Sequence, residues 1–342
     1  MRRFVVLLLL LLSWVCAPSW AETGQQRAEA AGRGLVGSPA PQLVLKTIDG
    51  KVIDLAGLYG RKAVYLKFWA TWCVPCREQM PHLERVFERA GPDLAVVAID
   101  VGFDDSVDAV RKYRREVGLK MPIVFDADGT LGAAFNLRVT PQHIVIGRDG
   151  RIAYVGHMAD ARLDAALSAA RKAPVRPVAA GAKASPPPSP VAVGGRLPAL
   201  ELPTLDGATF RVTDAVDRRP TVLVFLSPWC ESYLADSRPA LSVRCREVRE
   251  QMTVLSARGL ARWIGISSGL WANRDDLVHW RDEHRVGMPL ALDASGALFR
   301  RFGVMRVPTV LVADADGRVV RRTEGADAGL AAQLQALGSA SR

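Results

Sequence analysis

Cysteine is scarce in this chain of 342 residues, with five in all, and histidine is no more abundant, also five. So thin a supply excludes a disulfide-stapled scaffold, which needs cysteine at close intervals. The first half holds one Cys-x-x-Cys and neither a second such pair nor a His-x₃₋₅-His partner, so half of a zinc site would be left without the other half. The chain also lacks a dense Lys/Arg block and a nucleic-acid module. Its net charge of +10 comes mostly from scattered Arg, which reads as a basic soluble protein with no nucleic-acid partner. Beyond the N-terminus no apolar run is long enough to span a bilayer.

What is present begins with a leader. Met1-Arg2-Arg3 is followed by an almost unbroken apolar run over 4–15 and by Ser19-Trp20-Ala21, which offers small residues where a signal peptidase cuts. Residues 1–21 are therefore predicted to be a signal peptide, and the protein is expected in the periplasm. Val15 is bulky for a lipid-attachment site at Cys16. An uncleaved anchor is the alternative, and the only membrane contact foreseen. Cleavage leaves Cys73, Cys76, Cys230 and Cys245. Residues 22–35, polar and rich in Ala and Gly, are predicted to be loose. The Pro/Ala-rich stretch 173–195 is predicted to be a semi-rigid linker.

The halves on either side of that linker repeat one another. Met121-Pro122, Asp126 and Gly129 correspond to Met288-Pro289, Asp293 and Gly296, all at an offset of 167 positions. The same offset relates Val139-Thr140-Pro141 to Arg306-Val307-Pro308 and Asp149-Gly150-Arg151 to Asp316-Gly317-Arg318. Upstream, Phe68 and Trp72-Cys73 match Phe225 and Trp229-Cys230 at offset 157, so the second half carries about ten extra residues after its cysteine. A gapless match of this size means two copies of one fold. The first copy has strand patterns at 63–69, 94–99, 144–146 and 152–155, the last two flanking the turn Arg148-Asp149-Gly150. Helical patterns lie at 76–89, 106–117 and 163–170. This order predicts an α/β fold with a mixed central sheet covered by helices, once over 36–172 and again over 196–338.

The run Lys67-Phe68-Trp69-Ala70-Thr71-Trp72-Cys73-Val74-Pro75-Cys76 passes from strand to helix. A cysteine at a helix start faces unpaired backbone N–H groups, which lower its pKa from about 8.5 toward neutrality. Cys73 holds that place, and Cys76, one turn on, is within reach of it. Pro75 fits the first turn, where its missing N–H costs nothing. Such a pair can exchange disulfides: Cys73 attacks, a mixed disulfide forms, and Cys76 resolves it. A purely structural bridge would close too short a loop to remove much chain entropy.

The segment Phe68-Trp69-Ala70-Thr71-Trp72-Cys73-Val74-Pro75-Cys76, with Pro81 after it, resembles the TlpA/ResA-like branch of the thioredoxin family over about 36–172. The resemblance implies thioredoxin-like domains, a cis-proline at Pro141 against the cysteines, and a Thr140 backbone that pairs with substrate chain. It places Trp72 beside the dithiol. It also implies an enzyme, a thiol–disulfide oxidoreductase, whose only redox group is the Cys73–Cys76 disulfide, with no further cofactor and no metal. The implied partners are client proteins bearing thiols or disulfides and an upstream membrane or periplasmic thiol donor. The branch leans toward reductases that serve cytochrome c or copper-site assembly. Two departures stand out. Gln79, beside Glu78, takes a place that is often acidic, and Lys67 replaces the buried carboxylate or Asn six residues before the first cysteine. Lys67 either lies under the dithiol, where its ammonium would favour thiolate, or snorkels to solvent. His82 and His143 are candidate proton relays, with surface or edge positions expected for both.

The second copy keeps Trp229-Cys230 and Val307-Pro308 but has Tyr233 where the resolving cysteine would stand. It therefore resembles a degenerate thioredoxin-like domain. Three readings stay open: Cys245 pairs with Cys230 through a turn in the chain, the domain binds without reacting, or Cys230 is a peroxidatic thiol reduced by the first domain. The Pro-x-x-x-Thr/Ser-x-x-Cys pattern of typical peroxiredoxins is absent. The rival to a client reductase is thus a peroxidase-like or client-binding protein whose second domain is the effector.

Overall fold

A computed structural model describes residues 22–174 and 189–340. The predicted signal peptide and residues 175–188 of the predicted linker lie outside the described residues.

The first domain opens with α1 (Gly24–Gly32) and a small hairpin of β1 (Val44–Lys46) and β2 (Val52–Asp54). Then follow β3 (Ala63–Trp69), α2 (Val74–Glu78), α3 (Met80–Glu88), β4 (Leu94–Asp100), α4 (Val107–Val117), β5 (Ile123–Phe125), α5 (Thr130–Ala134), β6 (Gln142–Ile146), β7 (Ile152–Gly156) and α6 (Ala161–Lys172). The main sheet has the order β5-β4-β3-β6-β7. β3 pairs parallel with β4 and antiparallel with β6. Every residue of β3 is buried, which is why its sequence is apolar on both faces except at Lys67. The central strand thus delivers Cys73 to the sheet's carboxyl edge.

The second domain repeats the plan. It comprises β8 (Glu201–Pro203), β9 (Thr209–Arg211), β10 (Thr221–Leu226), α7 (Cys230–Tyr233), α8 (Pro239–Ser256), β11 (Arg262–Ser268), α9 (Arg274–Glu283), β12 (Leu290–Asp293), α10 (Ala297–Arg301), β13 (Thr309–Ala313), β14 (Val319–Thr323) and α11 (Leu330–Ala340). Its sheet order, β12-β11-β10-β13-β14, is the same one. The extra residues after Cys230 are absorbed by the 18-residue α8.

Three expectations need correction. Residues 22–35 are not loose: they contain α1, closed by a reciprocal cap between Thr23 and Gln26. The small residues that made the segment look coreless let it lie close on β7; a Cβ on Gly32 would come within 2.9 Å of the Val155 Cβ. The single helix expected over 76–89 is two, broken at Gln79 (φ −93°, ψ 2°), because Pro81 has no N–H to give to the carbonyl of Arg77. The second fold also starts before 196, since Val191 is buried and the Gly194 N–H donates to Val319 O at 2.7 Å.

The first domain's core continues into the second through Trp72, Phe103, Trp229, Phe299 and Phe225.

Candidate functional site

Cys73 caps α2. Its Sγ accepts the Cys76 N–H at 3.3 Å and bonds to the Cys76 sulfur, with the two Cα atoms 5.2 Å apart. The same Sγ lies 3.4 Å from the carbonyl oxygen of Thr140, and the Thr140–Pro141 bond is cis. The dithiol and the proline loop that sequence reasoning paired are thus in contact. Trp72 donates its indole N–H to Phe103 O at 2.8 Å. Thr71 is held by Asp105, whose carboxylate accepts its backbone N–H at 2.7 Å and its hydroxyl at 2.9 Å.

Lys67 is buried, and its Nζ donates to the Cys76 carbonyl at 3.1 Å. Of the two readings it takes the one beneath the dithiol. Burial lowers its pKa to about 7. Directly across the sheet from it stands His143. His143 does not reach the surface or an edge, because β6 is interior to the sheet and both of its faces are covered. Its Nδ1 lies 2.8 Å from Tyr65 Oη, and its Nε2 lies 3.0 Å from Gln79 Oε1. Gln79 Oε1 also accepts the Ala159 N–H at 2.9 Å. Its oxygen therefore faces His143, so the imidazole carries its proton on Nε2 and accepts from Tyr65. Burial, then the nearby Lys67 charge, pushes the His143 pKa well down, leaving a neutral ring. His82 sits near the surface, with Nε2 2.9 Å from Asp164. Among the described residues no group of three or more His, Cys, Asp or Glu side chains is placed to hold a metal.

In the second domain Cys230 opens α7, and its sulfur is bonded to Cys245 on α8, Cα to Cα 6.2 Å. The intervening turn at 234–238 folds α8 back, so the fifteen residues do not form one straight helix. Val307–Pro308 is cis as well.

Residues 36–155 and, separately, 193–322 match the AhpC/TSA family. The chain belongs to that family. It is 31% identical over 157 residues to the thiol-disulfide oxidoreductase ResA of Bacillus subtilis, a match covering 45% of this chain and 84% of ResA. It is 34% identical over 134 residues to the thioredoxin-like protein YneN of the same organism, covering 38% of this chain and 78% of YneN. A crystal structure of a thioredoxin-family thiol:disulfide interchange protein from Chlorobium tepidum matches at 31% identity and TM-score 0.36, covering 39% of this chain and 96% of that one. This AhpC/TSA-family chain is a thiol–disulfide oxidoreductase built from two thioredoxin-like domains.

Sequence reasoning missed what covers the dithiol. Trp229 stacks on Trp72 with centroids 5.3 Å apart, and Tyr233 Oη accepts the Val74 N–H at 3.1 Å. The Trp271 indole donates to Thr140 Oγ1 at 3.2 Å and packs edge-on against His157, whose Nδ1 is 2.8 Å from Pro141 O. Arg238 reaches Asp104 O and donates to Thr71 Oγ1. Cys73 is left 0% exposed. The available signals were the Tyr at the resolving position and a loop tryptophan with no strand or helix to serve.

Proposed function

We propose that this oxidoreductase is exported and reduces or exchanges disulfides of client proteins, with Cys73 as the attacking sulfur and Cys76 as the resolving one. The observation that carries the reading is the placement of the Cys73 sulfur at a helix start, bonded to Cys76 and set against the Thr140 carbonyl of the cis-proline loop. The Cys73 thiolate attacks a client disulfide and the departing client sulfur takes a proton; Cys76 then attacks Cys73 and frees the second client sulfur. Pro141 and Thr140 shape the face on which client backbone lies. Lys67, with a pKa of about 7 and its Nζ at the Cys76 carbonyl, favours thiolate when charged and takes the Cys76 proton when neutral. The disulfide is itself the redox group, with no further cofactor.

Export rests on the charged-then-apolar N-terminus. An upstream membrane or periplasmic thiol protein supplies the electrons, and clients whose cysteines must be free before haem or copper attachment fit the branch that the first domain resembles. The test is a chain lacking residues 1–21, and so Cys16, with Cys76, Cys230 and Cys245 changed to Ser, so that Cys73 has no partner cysteine within it. Incubated with oxidised envelope proteins, it should retain a client as a mixed disulfide on Cys73, identified by mass. A Cys73 that alkylates readily yet captures nothing refutes the proposal.

A further inference from the structure

The two domains meet through like surfaces. The Asp104 N–H donates to Met305 O at 2.7 Å, and the Trp271 N–H donates to Arg138 O at 2.9 Å. Asp104 and Trp271 are equivalent positions of the two copies, as are Arg138 and Met305, and Asp104 and Trp271 share a left-handed backbone (φ 49° and 55°). The contact is thus a local two-fold. Each residue that precedes a cis-proline is bound by the other copy: Thr140 by the Trp271 indole, and Val307 through its N–H by the Asp104 carboxylate at 3.2 and 3.3 Å. Trp72 and Trp229, which precede the two leading cysteines, also touch, and Val74 touches Tyr233, the residue at the position equivalent to Cys76. Cys73 and Cys230 both end up buried in this region, at 0% and 1% exposure.

We propose that the two domains are an intramolecular exchange pair, in which the reduced Cys73/Cys76 dithiol passes its electron pair to the Cys230–Cys245 disulfide across this interface. The proposal rests on the dithiol reading of Cys73 and Cys76. An external dithiol donor first reduces Cys73–Cys76. The Cys73 thiolate then attacks the Cys230 sulfur; the Cys73–Cys230 bond forms, the Cys230–Cys245 bond breaks, and Cys245 leaves and takes a proton. The Cys76 thiolate attacks Cys73; the Cys73–Cys76 bond forms again and Cys230 is released as a thiolate. Two electrons have moved, the first pair is oxidised and the second reduced. Cys230 holds the position equivalent to Cys73 and lies between Trp229 and Tyr233, the residues that touch Trp72 and Val74 of the first domain. Cys245, freed at the end of the first step, is a buried residue, 8% exposed against 1% for Cys230.

The test uses the full chain. In wild type whose first pair has been reduced by dithiothreitol, transfer to Cys230–Cys245, followed by alkylation and mass, should proceed with a first-order rate constant that does not depend on protein concentration. Cys73→Ser should slow reduction of Cys230–Cys245 at least tenfold. Cys76→Ser should yield a peptide linking Cys73 to Cys230 within one chain, with Cys245 alkylated, and should do so whether or not Cys73→Ser folds. Insulin reduction, measured in parallel, separates the failures. If Cys73→Ser abolishes insulin reduction but leaves Cys230–Cys245 reduction at the wild-type rate, the relay is wrong and the dithiol reading stands. If neither changes, both fall. Absence of the Cys73–Cys230 peptide from folded Cys76→Ser also overturns the relay.

Discussion

Replacing Lys67 by Met probes the charge beneath the dithiol, and its effect can be worked out with sign. In the folded, oxidised protein Lys67 loses its proton near pH 7, against an ordinary value of 10.5, because burial penalises the ammonium. The unfolded chain keeps that proton to higher pH. Between these values the unfolded state binds more protons, so stability rises with pH. The full cost of the buried charge, about 5 kcal/mol at about 1.4 kcal/mol per pH unit, applies below pH 7 and vanishes above pH 10.5. Between pH 7 and 9 the oxidised wild type should therefore gain about 2–3 kcal/mol. Lys67→Met should lack this gain, and at pH 7 it escapes the charge cost while forfeiting one hydrogen bond to a buried carbonyl, about 1–3 kcal/mol. Urea titrations of both proteins at pH 7, 8 and 9, under oxidising conditions, read the difference directly. Asp104 and Asp126, both pushed up to about 7 by burial, act mainly below this window and cancel in the comparison. Equal slopes for wild type and Lys67→Met would refute the assignment of a neutralisable Lys67. In the reduced protein the variant should also raise the pKa of the Cys73 thiol by about one unit or more, followed by thiolate absorbance.

Two further substitutions test the supports of the site. Asp105→Ala strips the Thr71 N–H and hydroxyl of their acceptor and Arg238 of a carboxylate at 3.5 Å, so it should destabilise the fold by about 2–4 kcal/mol and slow disulfide exchange; an unchanged urea midpoint and rate would count against that role. Gly32→Ala drives a methyl into Val155 and should cost about 1–3 kcal/mol, with protease cleavage near residue 30 appearing before the rest of the domain unfolds; uniform resistance would show that α1 is not docked as described.

Much of the fold could be read from periodicity where burial is two-sided and continuous. The strand over 63–69 coincides with β3, because a central strand covered on both faces is apolar at nearly every position, Lys67 being the exception. β5 and the hairpin of β1 and β2 have three residues per strand, too few to show a period, and were not seen. His143 was misjudged because a polar residue near a strand's start resembles an exposed end; only the pairing of β6 between β3 and β7 buries it. The cysteine pair was legible because its chemistry needs fixed spacing, whereas the cis-proline at Pro141 came from the family resemblance, since the residues alone show only a proline at the opening of a strand. Asp104, Tyr233, Trp271 and Arg238 were not, since each acquires its meaning from a partner more than 100 positions away.

The mating of like faces has a consequence for selectivity. A surface already occupied by a tethered neighbour is open to outsiders only by competition. Short tethers hold their cargo at an effective concentration of about 1 mM. A visitor present at about 1 µM with the same intrinsic affinity would then displace the neighbour in roughly one molecule per thousand. Only visitors that grip the Trp72–Thr140 surface far better than the chain's own second half reach the sulfur, so the fold filters casual thiols without any dedicated gate.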